Sequence, residues 1–348
     1  LQEAGLRELN RVVTEQEIAC ELQPWGNLYG ALGGEDEILL DRMVERYRDA
    51  GKALEHWSAE QMAEVTGSAR FVRGLFHPGT VLVQPVKLIR GLTATLPQNV
   101  VLFENSPVDT VVHRNGGYHL HTARSRIAVE RLFLCANGGT PTLGFGKHRL
   151  LQVATFAAMT PPLELDGLLS DTMPFGVLPL LPGGATLRFT QDRRLIVRQG
   201  AAFAPSGYVS DADLHRFLDE AARTLAVHWP ALAGTAFDYV WGGVMSLTRN
   251  NAQLFGEQGP GLFVAAFCNG AGNTAGTAAG KLLAELAAGE QSDLLVDQMS
   301  LPRPARLPPD FVNGFVVRHR IAQARRRLER LYASVDHPSP GQEGRRQA

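Results

Sequence analysis

The stretch that most constrains this chain is GLFVAAFCNGAGNTAGTAAGKLLAELAAGE, residues 261–290. Its apolar run, Leu262 to Phe267, is short and reads as a buried strand. A glycine turn follows, Gly270-Ala271-Gly272, and then a helix from Ala275 to Ala288 that Gly289 stops. Bare backbone at such a turn lets the N–H groups of the helix start approach an anion. The pattern is that of a nucleotide-binding α/β unit, placed late in the chain. No second strand with an acidic ribose partner follows Gly289, as a primary dinucleotide site requires. The same glycines would also permit tight strand–helix packing.

A chain of 348 residues has room for two domains with real cores. It is 45% hydrophobic and 20% charged, the balance of an ordinary globular protein. A formal net charge of -1 gives no reason to expect nucleic acid or an anionic membrane as partner. No apolar run reaches the length of a transmembrane helix. The opening LQEAGLRELNRVV is an amphipathic helix pattern and not a signal peptide. Cys20, Cys135 and Cys268 are far apart and odd in number, so neither a metal-type pair nor a disulfide framework is expected. A reducing, cytoplasmic setting is the default.

Helix signals come first. In EDEILLDRMVERYRDAG, Ile38, Leu39, Met43 and Tyr47 share a face and Gly51 ends the run. In SAEQMAEVTG, Ser58 is the N-cap and Gln61 completes a capping box. Pro85 opens another helix. Four strand signals follow: NVVLFEN, SPVDTVVHRN, GYHLHTAR and VERLFLCANGG, with a hairpin turn at RNGG. Residues 150–250 read mainly as strands, LLQVATFAAM, TLRFTQDRRLIVRQG and FDYVWGGVMSLT, interrupted by one helix over residues 211–232. LPRPARLPPDF is expected to be extended, RIAQARRRLERLYA to be a basic helix, and the last residues to be a disordered tail. Segments thus alternate. Residues 76–148 and 252–290 look like an α/β nucleotide domain, and residues 14–75 and 149–251 like a sheet domain woven into it. Residues 291–348 form a C-terminal extension.

At this point the chain resembles the FAD-dependent oxidoreductases of the D-amino-acid oxidase and dehydrogenase type, whose relatives include glycine, sarcosine and γ-glutamylputrescine oxidases. Four stretches carry the resemblance: QPVKLIRGL with LFENSPVDTV, then VERLFLCANGG, then LRFTQDRRLIV, and the long run from Trp241 to Leu286. The last is the most specific. The resemblance implies a mixed α/β fold: a Rossmann-like FAD domain interleaved with a mixed or antiparallel substrate sheet. It also implies that a first βαβ unit with GxGxxG would precede Leu1, because none follows an early strand within the chain. By resemblance the late glycine turn caps the isoalloxazine end of a non-covalent FAD, through Gly270, Gly272, Asn273 and Thr274, with the helix start stabilising negative charge on reduced flavin. Val108 matches the position whose backbone meets the adenine, and Ala136-Asn137-Gly138 matches a small-residue turn beside the dinucleotide.

The implied reaction is oxidation of a C–N bond in an amine or amino acid by hydride transfer to flavin, followed by imine hydrolysis, with dioxygen or a quinone taking the electrons. D-Amino acids, N-methyl amino acids and γ-glutamyl polyamines all remain open as substrates. Arg188 could clamp a substrate carboxylate in bidentate fashion, or simply pair with an acid on the sheet. Trp241 could wall the flavin, or fill a core. Tyr29 and His77 are weaker candidates, expected in packing roles. The basic helix, with Arg318, Arg320, Arg325, Arg326, Arg327 and Arg330, is expected to show a solvated face. Two departures from the family pattern stand out: Asn250 replaces an acid and Gln253 a proline. They favour an alternative reading, a non-catalytic remnant that binds or scaffolds. Gly243, near where sarcosine oxidases carry a flavin-linked cysteine, argues against covalent attachment. An NAD-dependent dehydrogenase built on residues 261–290 is a third reading, disfavoured by the missing second strand.

Overall fold

The computed structural model describes residues 1–164 and 174–336. The expected tail lies outside them beyond residue 336. In chain order, helix α1 (Gln2–Glu15) is followed by β1 (Gln23–Pro24), β2 (Asn27–Ala31), α2 (Glu35–Asp49), β3 (Glu55–Ser58), α3 (Ala59–Thr66), β4 (Arg73–His77), β5 (Val81–Leu82) and α4 (Pro85–Ala94). Next come β6 (Thr110–Arg114), β7 (Gly117–His121), β8 (Arg126–Val129), β9 (Leu132–Leu134), β10 (Leu151–Met159), β11 (Phe175–Leu178), β12 (Thr186–Phe189) and β13 (Leu195–Phe203). The described chain finishes with α5 (Asp211–His228), β14 (Tyr239–Leu247), β15 (Leu254–Gly259), β16 (Leu262–Ala266), α6 (Gly272–Ala288), α7 (Asp293–Ser300) and α8 (Asp310–Asp336).

Local sequence explains most of these boundaries. Ser58 and Gln61 form the expected capping box at α3. Pro85 occupies the first turn of α4, where its missing N–H costs nothing. Asn115 and Gly116 both take positive φ between β6 and β7, the conformation a two-residue hairpin demands. Gly289 ends α6 in the left-handed region.

Eight strands form one mixed sheet in the order β14-β10-β13-β12-β11-β2-β4-β3. All its joints are antiparallel except β11–β2. Strand side chains alternate between faces. On one face Leu28, Phe156, Phe175, Val177, Leu187, Phe189, Leu195 and Val197 are buried in a single cluster with Phe217, Ala221 and Leu225 of α5 and Met62 of α3. Helix α8 joins this side through Tyr332, whose hydroxyl lies 3.2 Å from that of Thr224 on α5. A second cluster joins Leu254, Leu262, Val264 and Phe267 to Leu134 and Tyr118. It packs the three-stranded sheet β15-β16-β9 against the β6-β7-β8 sheet. The first sheet is itself mixed, with β16 parallel to β9 and antiparallel to β15.

Two expectations fail. NVVLFEN forms no strand: residues 100–103 have irregular backbone, and Val101 and Phe103 are each 71% exposed. A strand needs a neighbour to take its N–H and C=O groups, and none of the described strands pairs with this segment. In α2 the inward face carries Asp36 and Leu40, while Ile38 is 55% exposed. The Asp36 carboxylate accepts the Leu32 N–H at 3.1 Å, which fixes the rotation of the helix start. Strands β3, β4, β5, β8, β11 and β15 and helix α7 add elements the periodicity did not mark.

Candidate active site

The turn after β16 is built from strained backbone. Phe267, Asn269 and Gly270 all have positive φ, and two of the three are not glycine. Asparagine side chains hold this conformation. Asn137 Oδ1 accepts the backbone N–H groups of Phe267 at 2.9 Å and Cys268 at 3.3 Å. The turn at residues 136–138 and the glycine turn, both read as cofactor contacts, are therefore tied together by Asn137. Asn269 works from inside the turn. Its Oδ1 accepts from Thr248 N at 2.8 Å, and its Nδ2 donates to Phe267 O at 2.8 Å. Gly138 must be small: a Cβ there would lie 2.9 Å from Ser246 Oγ.

Helix α6 begins in this turn with no side-chain cap and no acid in its first turn. The N–H groups at Gly272, Asn273 and Thr274 are the ones an α-helix leaves without an internal partner. Gly272 and Gly276 face open space, and Gly272 and Asn273 are exposed. An electronegative group placed there meets both free donors and the positive end of the helix dipole.

The turn lies beside the second face of the eight-stranded sheet. A Cβ on Gly270 would sit 3.7 Å from Met245 Sδ on β14. Met245 Sδ in turn lies 3.5 Å from Arg198 Nη2 on β13. Gly243, on the same face of β14, has open space above it. Trp241 stands two residues further along and is 42% exposed. It is no core tryptophan. Arg188, on β12, directs Nη1 over Gly176 of β11, where a Cβ would come within 2.7 Å. Among the described residues Arg188 forms no ion pair. Burial, and then the neighbouring Arg198 guanidinium, lower its pKa from the ordinary arginine value. The surface or inter-strand ion pair weighed as the alternative for Arg188 is not found among the described residues.

The remaining sequence candidates fall elsewhere. Val108 is half-buried in the segment that leads into β6 of the small antiparallel sheet, and is not on the arginine face. Tyr29 and His77 both meet Tyr47 of α2: the His77 and Tyr47 rings are 5.2 Å apart, and burial, followed by Tyr47, raises the Tyr29 pKa. Cys268 is half-buried, its Sγ 3.6 Å from Asn137 Nδ2. Asn250 holds the proline-rich segment, donating to Arg303 O at 3.0 Å and accepting from Ala305 N at 3.0 Å. An aspartate could make only the second bond. In the basic helix, Arg325 pairs with Glu220 and Glu329, and Arg318 lies 5.4 Å over the Phe203 ring. Sequence reasoning missed Arg198 and the clamping side chain of Asn269. Among the described residues no group of His, Cys, Asp and Glu could hold a metal ion, and no helix is long and apolar enough to cross a membrane.

The chain is 24% identical over 298 residues to the probable oxidoreductase OrdL of Haemophilus influenzae, covering 82% of this chain and 65% of that one. It is 23% identical over 290 residues to the gamma-glutamylputrescine oxidoreductase of Escherichia coli, covering 80% and 65%. The chain thus spans just under two thirds of the length of these curated relatives. Among solved structures, glycine oxidase from Geobacillus kaustophilus superposes with a TM-score of 0.72 at 18% identity, covering 87% of this chain and 81% of that one. The family model described as DAO, FAD dependent oxidoreductase, matches residues 1–286. The chain belongs to the DAO family of FAD dependent oxidoreductases.

Proposed function

We propose that this protein oxidises the C–N bond of a small amine or amino acid that carries a carboxylate, with FAD held non-covalently. The observation that carries the reading is the continuity from Gly270 through Met245 and Arg198 to Arg188. It sets an uncapped helix start beside a cation that meets no acid among the described residues. The residues present suit the flavin end of FAD: the α6 start supplies donors for an electronegative ring edge, and Gly243 and Gly272 leave room for a flat group. In this reading Gly270, Gly272, Asn273 and Thr274 line that edge, with Ala136, Asn137 and Gly138 beneath them. Val108 would meet the nucleotide end. The eight-stranded sheet serves as the substrate half, and the β15-β16-β9 and β6-β7-β8 sheets belong to the cofactor half.

When bound, FAD accepts the hydride that leaves the substrate α-carbon. The protein's own part is placement. Arg188 grips the carboxylate with two parallel N–H···O bonds, which fixes one end of the substrate. Trp241 offers a flat apolar wall. The α6 dipole favours the negative charge that arrives with the electrons. The neutral amine loses its α-hydrogen with the bonding pair and becomes an iminium ion, which water hydrolyses to a carbonyl and ammonia or an amine, with release of a proton. Dioxygen or a quinone would be the final electron acceptor. The supporting relatives are the oxidoreductases named above, one of which acts on gamma-glutamylputrescine. The free Cys20, Cys135 and Cys268 support a reducing, cytoplasmic setting as part of this reading.

The test is the absorbance spectrum of the purified product with any residues encoded before Leu1. Flavin bands that bleach anaerobically on adding an amino acid support the reading. A colourless protein that takes up no FAD points to the non-catalytic remnant.

A further inference from the structure

The site face carries a second arginine that the reading above leaves without a role. Arg198 stands on β13, opposite Thr186 of β12, and Arg188 stands two residues along from Thr186 on the same face. They are diagonal neighbours on adjacent strands, about 7–8 Å apart at the backbone. Among the described residues neither meets an acid. Arg194, four residues before Arg198, shows what a structural arginine on this sheet looks like. Its Nε lies 2.9 Å from Asp192, its Nη1 2.8 Å from Asp238, and its guanidinium 5.6 Å from the Tyr239 ring centre.

The two unpaired guanidiniums also point apart. Arg188 leans over Gly176 on β11, while Arg198 reaches toward Met245 on β14. In the order β14-β10-β13-β12-β11 these lie on opposite flanks of the pair. Strands are spaced about 4.8 Å apart, so the charged heads diverge. A lone phosphate or carboxylate calls for forks that converge on it. Forks that diverge suit two anionic groups at the two ends of one molecule. Holding two neighbouring cations partly desolvated and without acids is unfavourable in the empty protein, and a doubly anionic ligand relieves both. Burial lowers the pKa of each arginine, in keeping with that cost.

We propose that Arg198 is a second anion anchor of the substrate site, and that the preferred substrate is an amine bearing two carboxylates, one for Arg188 and one for Arg198. The proposal rests on the flavoenzyme reading given above. Arg198 holds the end nearer the glycine turn, because Met245 lies between it and Gly270. The amine nitrogen then sits between the two anchors.

The experiment compares iminodiacetate with N-methylglycine, which differ by one carboxylate, on the full-length protein loaded with FAD. Wild type, Arg198→Gln, Arg198→Lys and Arg188→Gln are assayed by anaerobic flavin reduction. Wild type is expected to favour iminodiacetate, with kcat/KM higher by about 10–100-fold, the worth of one charge-assisted anchor. Arg198→Gln should erase that preference, chiefly through KM, with a loss on iminodiacetate at least about tenfold larger than on N-methylglycine. Arg198→Lys should restore part of it, and Arg188→Gln should harm both amines. Calorimetry with succinate and butyrate gives a readout that needs no turnover: wild type should prefer succinate and Arg198→Gln should not. Equal treatment of the two amines and of the two acids by wild type would overturn the proposal. So would an equal loss on both amines in Arg198→Gln with a shifted flavin potential, which would set Arg198 against the cofactor instead. If no amine reduces the flavin, the oxidoreductase reading fails, and the succinate preference still decides whether the arginines bind a dicarboxylate.

Discussion

The two faces of the eight-stranded sheet are made by the same strands yet obey different rules. On β13, Leu195 and Val197 are fully buried beneath helices, while Arg198 between Val197 and Gln199 points the other way and is exposed. On β12, Leu187 and Phe189 are buried and Arg188 between them is not. One face carries stability. The other carries arginines that meet no acid among the described residues, an exposed tryptophan, and Gly243 with open space above it, which are features of a site rather than a core.

Substitutions on each face can break this comparison. The largest stability effect should come from the packed face: Phe175→Ala is expected to cost about 3–5 kcal/mol in denaturant melts. The same measurement on Arg188→Met should show no loss or a slight gain, because a partly desolvated cation without an acid is removed. That variant should nevertheless lose on the order of 100-fold in kcat/KM, about 2.7 kcal/mol of transition-state binding. A destabilised Arg188→Met with normal kinetics would make Arg188 a structural residue and erase the contrast.

Two buried titrating groups on the packed side sharpen it through pH. Burial raises the Asp36 carboxyl from 3.8 to about 6. Its folded form holds the proton more tightly, so its destabilising charge is absent below pH 3.8 and fully present above pH 6. Burial, with Arg70 second, lowers His228 from 6.5 to about 3. The folded protein then binds fewer protons, and stability falls as pH drops from 6.5 toward 3. The two slopes oppose each other between about pH 4 and 6. Asp36→Asn should therefore raise stability by about 2–3 kcal/mol at pH 8 and by almost nothing at pH 4. It should also unmask a steeper acid-side decline from His228. A flat difference between Asp36→Asn and wild type across pH 4–8 would contradict this account.

A smaller effect tests the tie between the two turns. Asn137→Ala strands the N–H of the buried Phe267 and should cost about 1–2 kcal/mol in thermal or denaturant stability. FAD should bind about tenfold more weakly as the strained turn relaxes. Unchanged FAD affinity would make the clamp purely structural.

How much of this was legible in the sequence depended on the range of the interaction. The α3 capping box, the Pro85 helix start, the Asn115-Gly116 hairpin and the strand–turn–helix at residues 261–290 are local, and the sequence signals and the structure agree on each. Asn137 and Asn269 could be seen only as turn residues, because the groups they bind lie 130 and 21 positions away. Arg198 hid among 34 basic residues. What marks it is the strand register and the lack of an acid partner among the described residues, and neither is a property of a local window. NVVLFEN misled for the same reason: its composition suits a strand, but strand formation depends on a neighbour elsewhere in the chain.

The central claim is that the glycine turn and the arginine face form one site. The most direct measurement titrates the oxidised, FAD-loaded full-length protein with butyrate, following the flavin absorbance in wild type and Arg188→Gln. A carboxylate held by Arg188 beside the flavin should perturb the bands in wild type, with at least tenfold weaker binding in the variant. An identical titration in both proteins would mean that Arg188 does not face the cofactor, and would contradict the account.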